Sequence, residues 1–253
     1  MEYIHNTEQF QFHNTVVALG KFDGMHKGHQ LIFDELIQYK QLGYQAAVFS
    51  FDRPPLNMLK HKHMRVIYTT NEKIKLLARR GIDIYIEHPF TDEFSHLSPE
   101  DFVIKVLLEK TGMKVLVVGD DCGFGYKRQG NVELLERMSK EYDFKLIVIP
   151  KLELEGEIVS STRIRHLLSE GKVEEANRLM EDPFMICGSV VHGNHMGAEV
   201  LQMPTANQIP LEDKLLPPNG VYVSRIHYKD ETYYGCLLYT SPAHETLRHL
   251  VCR

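Results

Sequence analysis

The chain has 253 residues, a formal net charge of −5, 43% hydrophobic residues and 25% charged ones. That make-up fits a globular protein long enough for one large domain or for a domain and a smaller companion. It argues against a nucleic-acid surface, which needs a basic excess, and four scattered cysteines with no C-x-x-C pair argue against a zinc site or a disulfide framework.

Met1–His5 carries no basic start ahead of an apolar core, and no apolar run approaches ~18 residues. The expectation is therefore a cytoplasmic protein without leader or membrane span. Val16-Val17-Ala18-Leu19 reads as a buried strand that breaks at Gly20 and Gly24. An amphipathic helix then begins near His29, with Leu31, Ile32, Leu36 and Ile37 as its apolar residues. Gln45–Phe51 is a second buried strand, stopped at Asp52-Arg53-Pro54-Pro55. Thr70 caps a helix over Asn71–Arg80, and Ile82–Ile86 is a third strand. Ser98-Pro99-Glu100 opens a helix that Gly112 closes. Lys114–Gly119 is the most strand-like run and leads into a loop rich in glycine and charge, Asp120–Asn131. A helix over Asn131–Tyr142 and a strand over Lys145–Ile149 follow. Apolar strands alternating with helices predict an α/β fold with a parallel sheet covered on both faces. Such sheets bind ligands beyond the carboxyl ends of their strands, where both Gly-rich loops fall. Near residue 182 the pattern changes to short β-like runs, Phe184–His192, Gly220–Tyr228 and Thr232–Tyr239. These predict a small antiparallel barrel, giving domains 1–182 and 183–253.

Two stretches carry chemistry. Between the first strand and first helix lies His26-Lys27-Gly28-His29. A helix N-terminus presents unpaired N–H groups to an anion, and neutral imidazoles donate hydrogen bonds to phosphate oxygens. Fourteen histidines make a chance H-x-x-H pair easy, so the flanking strand, helix and glycines give the pair its weight. Far downstream, Ser160-Ser161-Thr162-Arg163-Ile164-Arg165 opens a helix running to Glu170. Serine and threonine there could be simple caps. Two arginines in the first turns oppose the helix dipole, however, and make sense if an anion sits between them and the helix end.

H-x-G-H at a strand-to-helix turn together with S-S-T-x-x-R resembles the nucleotidylyltransferase superfamily, whose core is a Rossmann-like domain. Gly20-Lys21-Phe22-Asp23-Gly24-Met25-His26, Phe51-Asp52-Arg53-Pro54-Pro55, Val118–Gly125 and Pro204-Thr205-Ala206-Asn207 narrow the resemblance. They are similar to the prokaryotic bifunctional riboflavin kinase/FMN adenylyltransferases. The resemblance implies FAD and pyrophosphate made from FMN and ATP with Mg²⁺, and carries over site residues by position. His26, His29 and Arg165 are the expected catalytic groups. Gly20, Phe22, Asp23, Gly28, Ser161, Thr162 and Arg165 are the expected ATP contacts. Asp121, Phe124, Gly125, Lys127 and Arg128 are the expected FMN contacts. Metal ligands stay unassigned. This chain departs from the family pattern at Arg53-Pro54 and Cys122.

In the kinase half, Thr205 and Asn207 match the residues that hold metal and phosphate. The family's glutamate base would fall after Arg253, and Gln202-Met203 and Asn194–Glu199 also depart from the pattern. The expectation is a truncated barrel with little or no riboflavin kinase activity, and with strand edges that oligomerisation could cover. Alternatives are a bifunctional enzyme using Glu231 or Glu245 as base, a non-catalytic flavin or nucleotide sensor, and transfer to another phosphate acceptor.

Overall fold

The computed structural model describes residues 1–52, 65–191, 205–229, 231–239 and 247–251. The first half is built on β2 (Thr15–Leu19), every residue of which is buried. Its neighbours are β3 (Gln45–Phe51) and β5 (Met113–Gly119), with β4 (Ile84–His88) beyond β3, β1 (Glu2–His5) at one edge and β6 (Lys145–Ile149) at the other. The six strands run in the order β1-β4-β3-β2-β5-β6, all parallel.

Side chains alternate across this sheet, so each strand feeds two cores. Val16 and Ala18 of β2 pack with Ile32, Phe33 and Leu36 of α1 (Lys27–Gln41) and with Leu76 and Leu77 of α2 (Thr70–Arg79). Val17 and Leu19 face Phe102, Val103 and Leu107, in the π-helical stretch Phe102–Leu108 that continues α3 (Pro99–Asp101). Leu135 and Met138 of α4 (Val132–Glu141) complete that second core. Both faces are covered, as the apolar strands predicted.

Some boundaries move for local reasons. Thr69, not Thr70, caps α2, through a capping box with Glu72. The third strand begins at Ile84 rather than Ile82. Gly81 turns the chain at φ +83°, and the Ile82 N–H still donates to Leu77 O at 3.2 Å to finish the helix. The edge strand β1, the hairpin of β7 (Glu153–Leu154) and β8 (Glu157–Ile158), and α6 (Val173–Leu179), which follows α5 (Ser161–Ser169), are short elements without a sequence signal of their own.

The second half is a five-stranded antiparallel sheet. It comprises β9 (Gly188–Val191), β10 (Thr205–Pro210), β11 (Gly220–Tyr228), β12 (Glu231–Tyr239) and β13 (Leu247–Val251), in the order β11-β12-β13-β10-β9. Leu237 and Tyr239 form its buried centre, against Ile186, Leu216 and Tyr222. Among the described residues β11 and β9 remain edges, so the expected barrel is seen here as an open sheet.

Candidate active site

Chain order reverses beside β2: β3 lies on one side and β5 on the other, with Ala18 in register with Val117. The loops leaving β2 and β5 therefore flank a switch-point crevice, the place where open α/β sheets take ligands. The first loop delivers both histidines. His26 is the N-cap of α1, and its Nδ1 accepts the His29 N–H at 3.3 Å. An accepting Nδ1 puts the ring proton on Nε2, which is left as a donor. The two rings stack with centroids 3.6 Å apart. Gly28 makes room for this: a Cβ there would lie 3.1 Å from His26 Nδ1. Phe22, 2% exposed, supports His29 edge-on at 5.2 Å, and a Cβ on Gly20 would meet the Phe22 ring at 2.9 Å.

Burial dominates the titration of both imidazoles. It pulls His26 down to about 4 despite the nearby Asp23 and Asp121 carboxylates. Burial, with His26 and the Lys73 ammonium, also holds His29 well below its ordinary value. Both rings are neutral donors near pH 7. His29 Nδ1 is buried and has no partner among the described residues.

Asp23 brings the two distant motifs together. Its Oδ1 accepts the Ile67 and Tyr68 N–H groups at 2.9 and 3.3 Å. Its Oδ2 takes the Arg165 guanidinium, and its backbone carbonyl accepts the Ser161 hydroxyl. Arg165 also donates to the Arg65 carbonyl. Ser160 is the true N-cap of α5, accepting the Arg163 N–H at 3.3 Å. That frees Ser161 and Thr162, in the first turn, from capping duty. Arg163 pairs with Glu157 at 2.8 Å, while its Nη1 is buried without a partner among the described residues.

The loop after β5 is less uniform. Asp121 is exposed and pairs with Lys151 at 3.3 Å. Phe124 is 6% exposed and lies in the second core against Phe102, where a Cβ on Gly130 would clash with its ring at 2.6 Å. Gly125, at φ +69°, packs against Pro99 so closely that a Cβ would lie 2.7 Å from Pro99 Cα. Lys127 covers the Tyr126 ring at 5.0 Å. Arg128 lies against Gly123, whose Cβ would meet its guanidinium at 2.8 Å. Burial, with the charges of Arg128 and Arg165, lowers the Lys21 pKa against the opposing pull of Asp23. Burial pushes the Cys122 thiol up to about 11, so it is inert near neutrality.

Family models describe the same division of labour. One for FAD synthetase matches residues 8–163, and one for riboflavin kinase matches residues 180–246. The chain belongs to the bifunctional riboflavin kinase/FMN adenylyltransferase family. The family's protein from Buchnera aphidicola subsp. Schizaphis graminum is 38% identical over 226 residues, covering 88% of this chain and 72% of that protein. The one from Listeria monocytogenes is 35% identical over 239 residues, covering 92% and 75%. A crystal structure described as a macrolide-efflux protein from Streptococcus pneumoniae superposes with a TM-score of 0.84 at 28% identity, over 98% of this chain and 83% of that one. Among the described residues, no helix is long and apolar enough to cross a membrane.

As a member of this family the protein is an ATP-dependent nucleotidyltransferase of FAD biosynthesis, and ATP and FMN as substrates with FAD as product fit it. The riboflavin kinase match also corrects an expectation. A kinase domain is present, and the anticipated loss of riboflavin phosphorylation has no support. Asn207, in β10, is 6% exposed, and Thr205 begins the same strand. Arg53-Pro54-Pro55, Asn194–Glu199, Gln202–Pro204, Glu245 and Cys252 lie outside the described residues.

Proposed function

We propose that residues 1–182 form the adenylyltransferase unit and make FAD and pyrophosphate in the crevice between β2 and β5. An oxygen of the FMN phosphate attacks the α-phosphorus of ATP in line. A new P–O bond forms as the bond to the bridging oxygen breaks, and pyrophosphate departs with the electron pair. No protein nucleophile is needed, so the barrier falls through positioning and charge stabilisation. His29 and the first N–H groups of α1 hold the α-phosphate as charge develops on it. His26, with its Nε2–H free to donate, serves the same oxygens and the bridging oxygen. Ser161, Thr162 and Arg165 hold the leaving pyrophosphate. Gly20, Phe22, Asp23 and Gly28 shape the nucleotide loop, with Phe22 and Asp23 acting through His29 and Arg165. Lys127 and Arg128 neutralise the FMN phosphate, Asp121 and Gly125 line the acceptor side, and Phe124 fixes that loop from beneath.

Among the described residues no cluster of three or more His, Cys, Asp or Glu could cage a metal, and Asp23 is already engaged. Mg²⁺, which the family resemblance implies, would then be held chiefly through the substrate phosphates and would screen their charge. The observation that carries this reading is the Asp23 link between the histidine turn and the Ser161–Arg165 helix end.

The riboflavin kinase match favours a second activity in residues 183–253, with Thr205 and Asn207 at its phosphate site. Chromatography of products from FMN plus ATP and from riboflavin plus ATP tests both readings. FAD from the first mixture is expected, and its absence would leave a flavin or nucleotide sensor. FMN from the second would establish the bifunctional enzyme.

A further inference from the structure

Residues 65–69 are strung between the two halves. The Val66 N–H donates to Asp213 O at 2.7 Å, and Val66 O accepts the Leu215 N–H at 2.7 Å, so Val66 forms a rung with the segment 211–215. On the other side, the Ile67 and Tyr68 N–H groups hold Asp23, and the Arg65 carbonyl receives Arg165. The Ile67 carbonyl accepts Lys214 Nζ at 2.5 Å. One residue therefore binds the site aspartate through its N–H and the far half through its C=O.

Lys214 is 1% exposed. Its ammonium also donates to Glu72 Oε2 and to Met185 O, both at 2.7 Å, which uses all its N–H groups. The rings of Phe184 and Tyr68 cover it at 4.5 and 5.0 Å. Glu72, wholly buried, accepts the Thr69 and Cys187 N–H groups at 2.8 and 2.7 Å. Buried ion pairs of this kind are rarely more stabilising than well-packed apolar side chains of similar volume. Stability alone therefore does not explain a lysine here. Its distinctive effect is to fix the Ile67 peptide.

We infer that Lys214, from the riboflavin kinase half, is a positioning residue for adenylyl transfer: it pins residues 65–68, which set where Asp23 and Arg165 meet. This rests on the role proposed above for Arg165. The test is kcat for FAD formation by the full chain carrying Lys214→Met with Glu72→Gln, so that no lone charge stays buried. A fall of about 10- to 100-fold is expected, the size seen when supporting contacts of a site are lost. In an Arg165→Ala background the same pair of changes should cost little more, because the group they position is gone. Equal losses in both backgrounds would mark a general structural effect and overturn the inference, as would an unchanged kcat. Should the double variant not fold, Lys214→Arg keeps the cation but displaces its donors. It should give a smaller loss of kcat that again disappears with Arg165→Ala, and full activity would count against the inference. If Arg165→Ala alone keeps full turnover, the Arg165 assignment falls and this inference falls with it. An impaired Arg165→Ala with normal Lys214 variants defeats this inference alone.

Discussion

The two sheets of this chain solve the problem of burial differently. The parallel sheet is covered on both faces, and β2 is sealed along its whole length. The antiparallel sheet centres on Leu237 and Tyr239, while Val223 on its edge strand β11 is 93% exposed. Parallel strands need crossover helices, and those helices cover the sheet. Antiparallel strands joined by hairpins can leave one face in water. The difference shows where each half draws its rigidity. The first half draws it from its own layers, whereas the described part of the second makes its most enclosed polar contact, Lys214, with the first half.

The largest effect should come from placing the same charge in both sheets. Val17→Asp, at a fully buried position of β2, should abolish soluble folded protein, because an unpaired carboxylate there has no partner. Val223→Asp should change stability by no more than ~0.5 kcal/mol, the range for surface substitutions. The soluble yield of Val17→Asp and the denaturant melt of Val223→Asp measure the gap, and a soluble, cooperatively folded Val17→Asp would erase the contrast drawn between the sheets. Next in size, His29→Ala should lower FAD turnover by ~100-fold or more with little change in ATP binding, the cost of one lost transition-state donor. Steady-state kinetics with nucleotide titration checks this, and unchanged turnover would remove His29 from the mechanism.

The smallest effect concerns acid. The His26 pKa is lowered to about 4 in the folded chain, against 6.5 in the unfolded one. The unfolded state therefore binds more protons between these values, and stability must fall as pH drops from 6.5 towards 4. Above 6.5 this contribution is flat. Melting temperatures at pH 7 and 5 should differ less in His26→Asn than in the parent, and an identical difference would discount the imidazole.

What could be read from the sequence was what local pattern encodes. Apolar strands alternating with helices pointed to the parallel architecture, and the glycine breaks to the two loops that flank the crevice. The Thr69–Glu72 capping box was also written in the sequence, one residue before the expected cap. The assembly of the site was not legible. Nothing local says that the Asp23 carboxylate would gather N–H groups from residues 67 and 68 as well as Arg165. Nothing in the local sequence marks Lys214, and only tertiary packing makes it 1% exposed. Phe124 matches an aromatic expected near flavin, yet its ring is packed in the second core, a placement set by π-helix and loop together.

The backbone around the crevice has one further consequence. Phe22 and Met25 in the first loop, and Lys127 and Arg128 in the second, adopt left-handed φ angles of +46°, +37°, +51° and +59°. Side-chain-bearing residues hold such angles only at a conformational cost of about 1–3 kcal/mol each, sustained by the surrounding fold. Asn6, Asn14, Asp143, Glu155 and Lys229 adopt the same conformation in other turns, so the crevice loops share this cost with the rest of the chain. At the exposed Lys127 and Arg128 glycine would relieve that cost, whereas at the buried Phe22 and Met25 it would also empty part of the core, so packing keeps those two side chains in place.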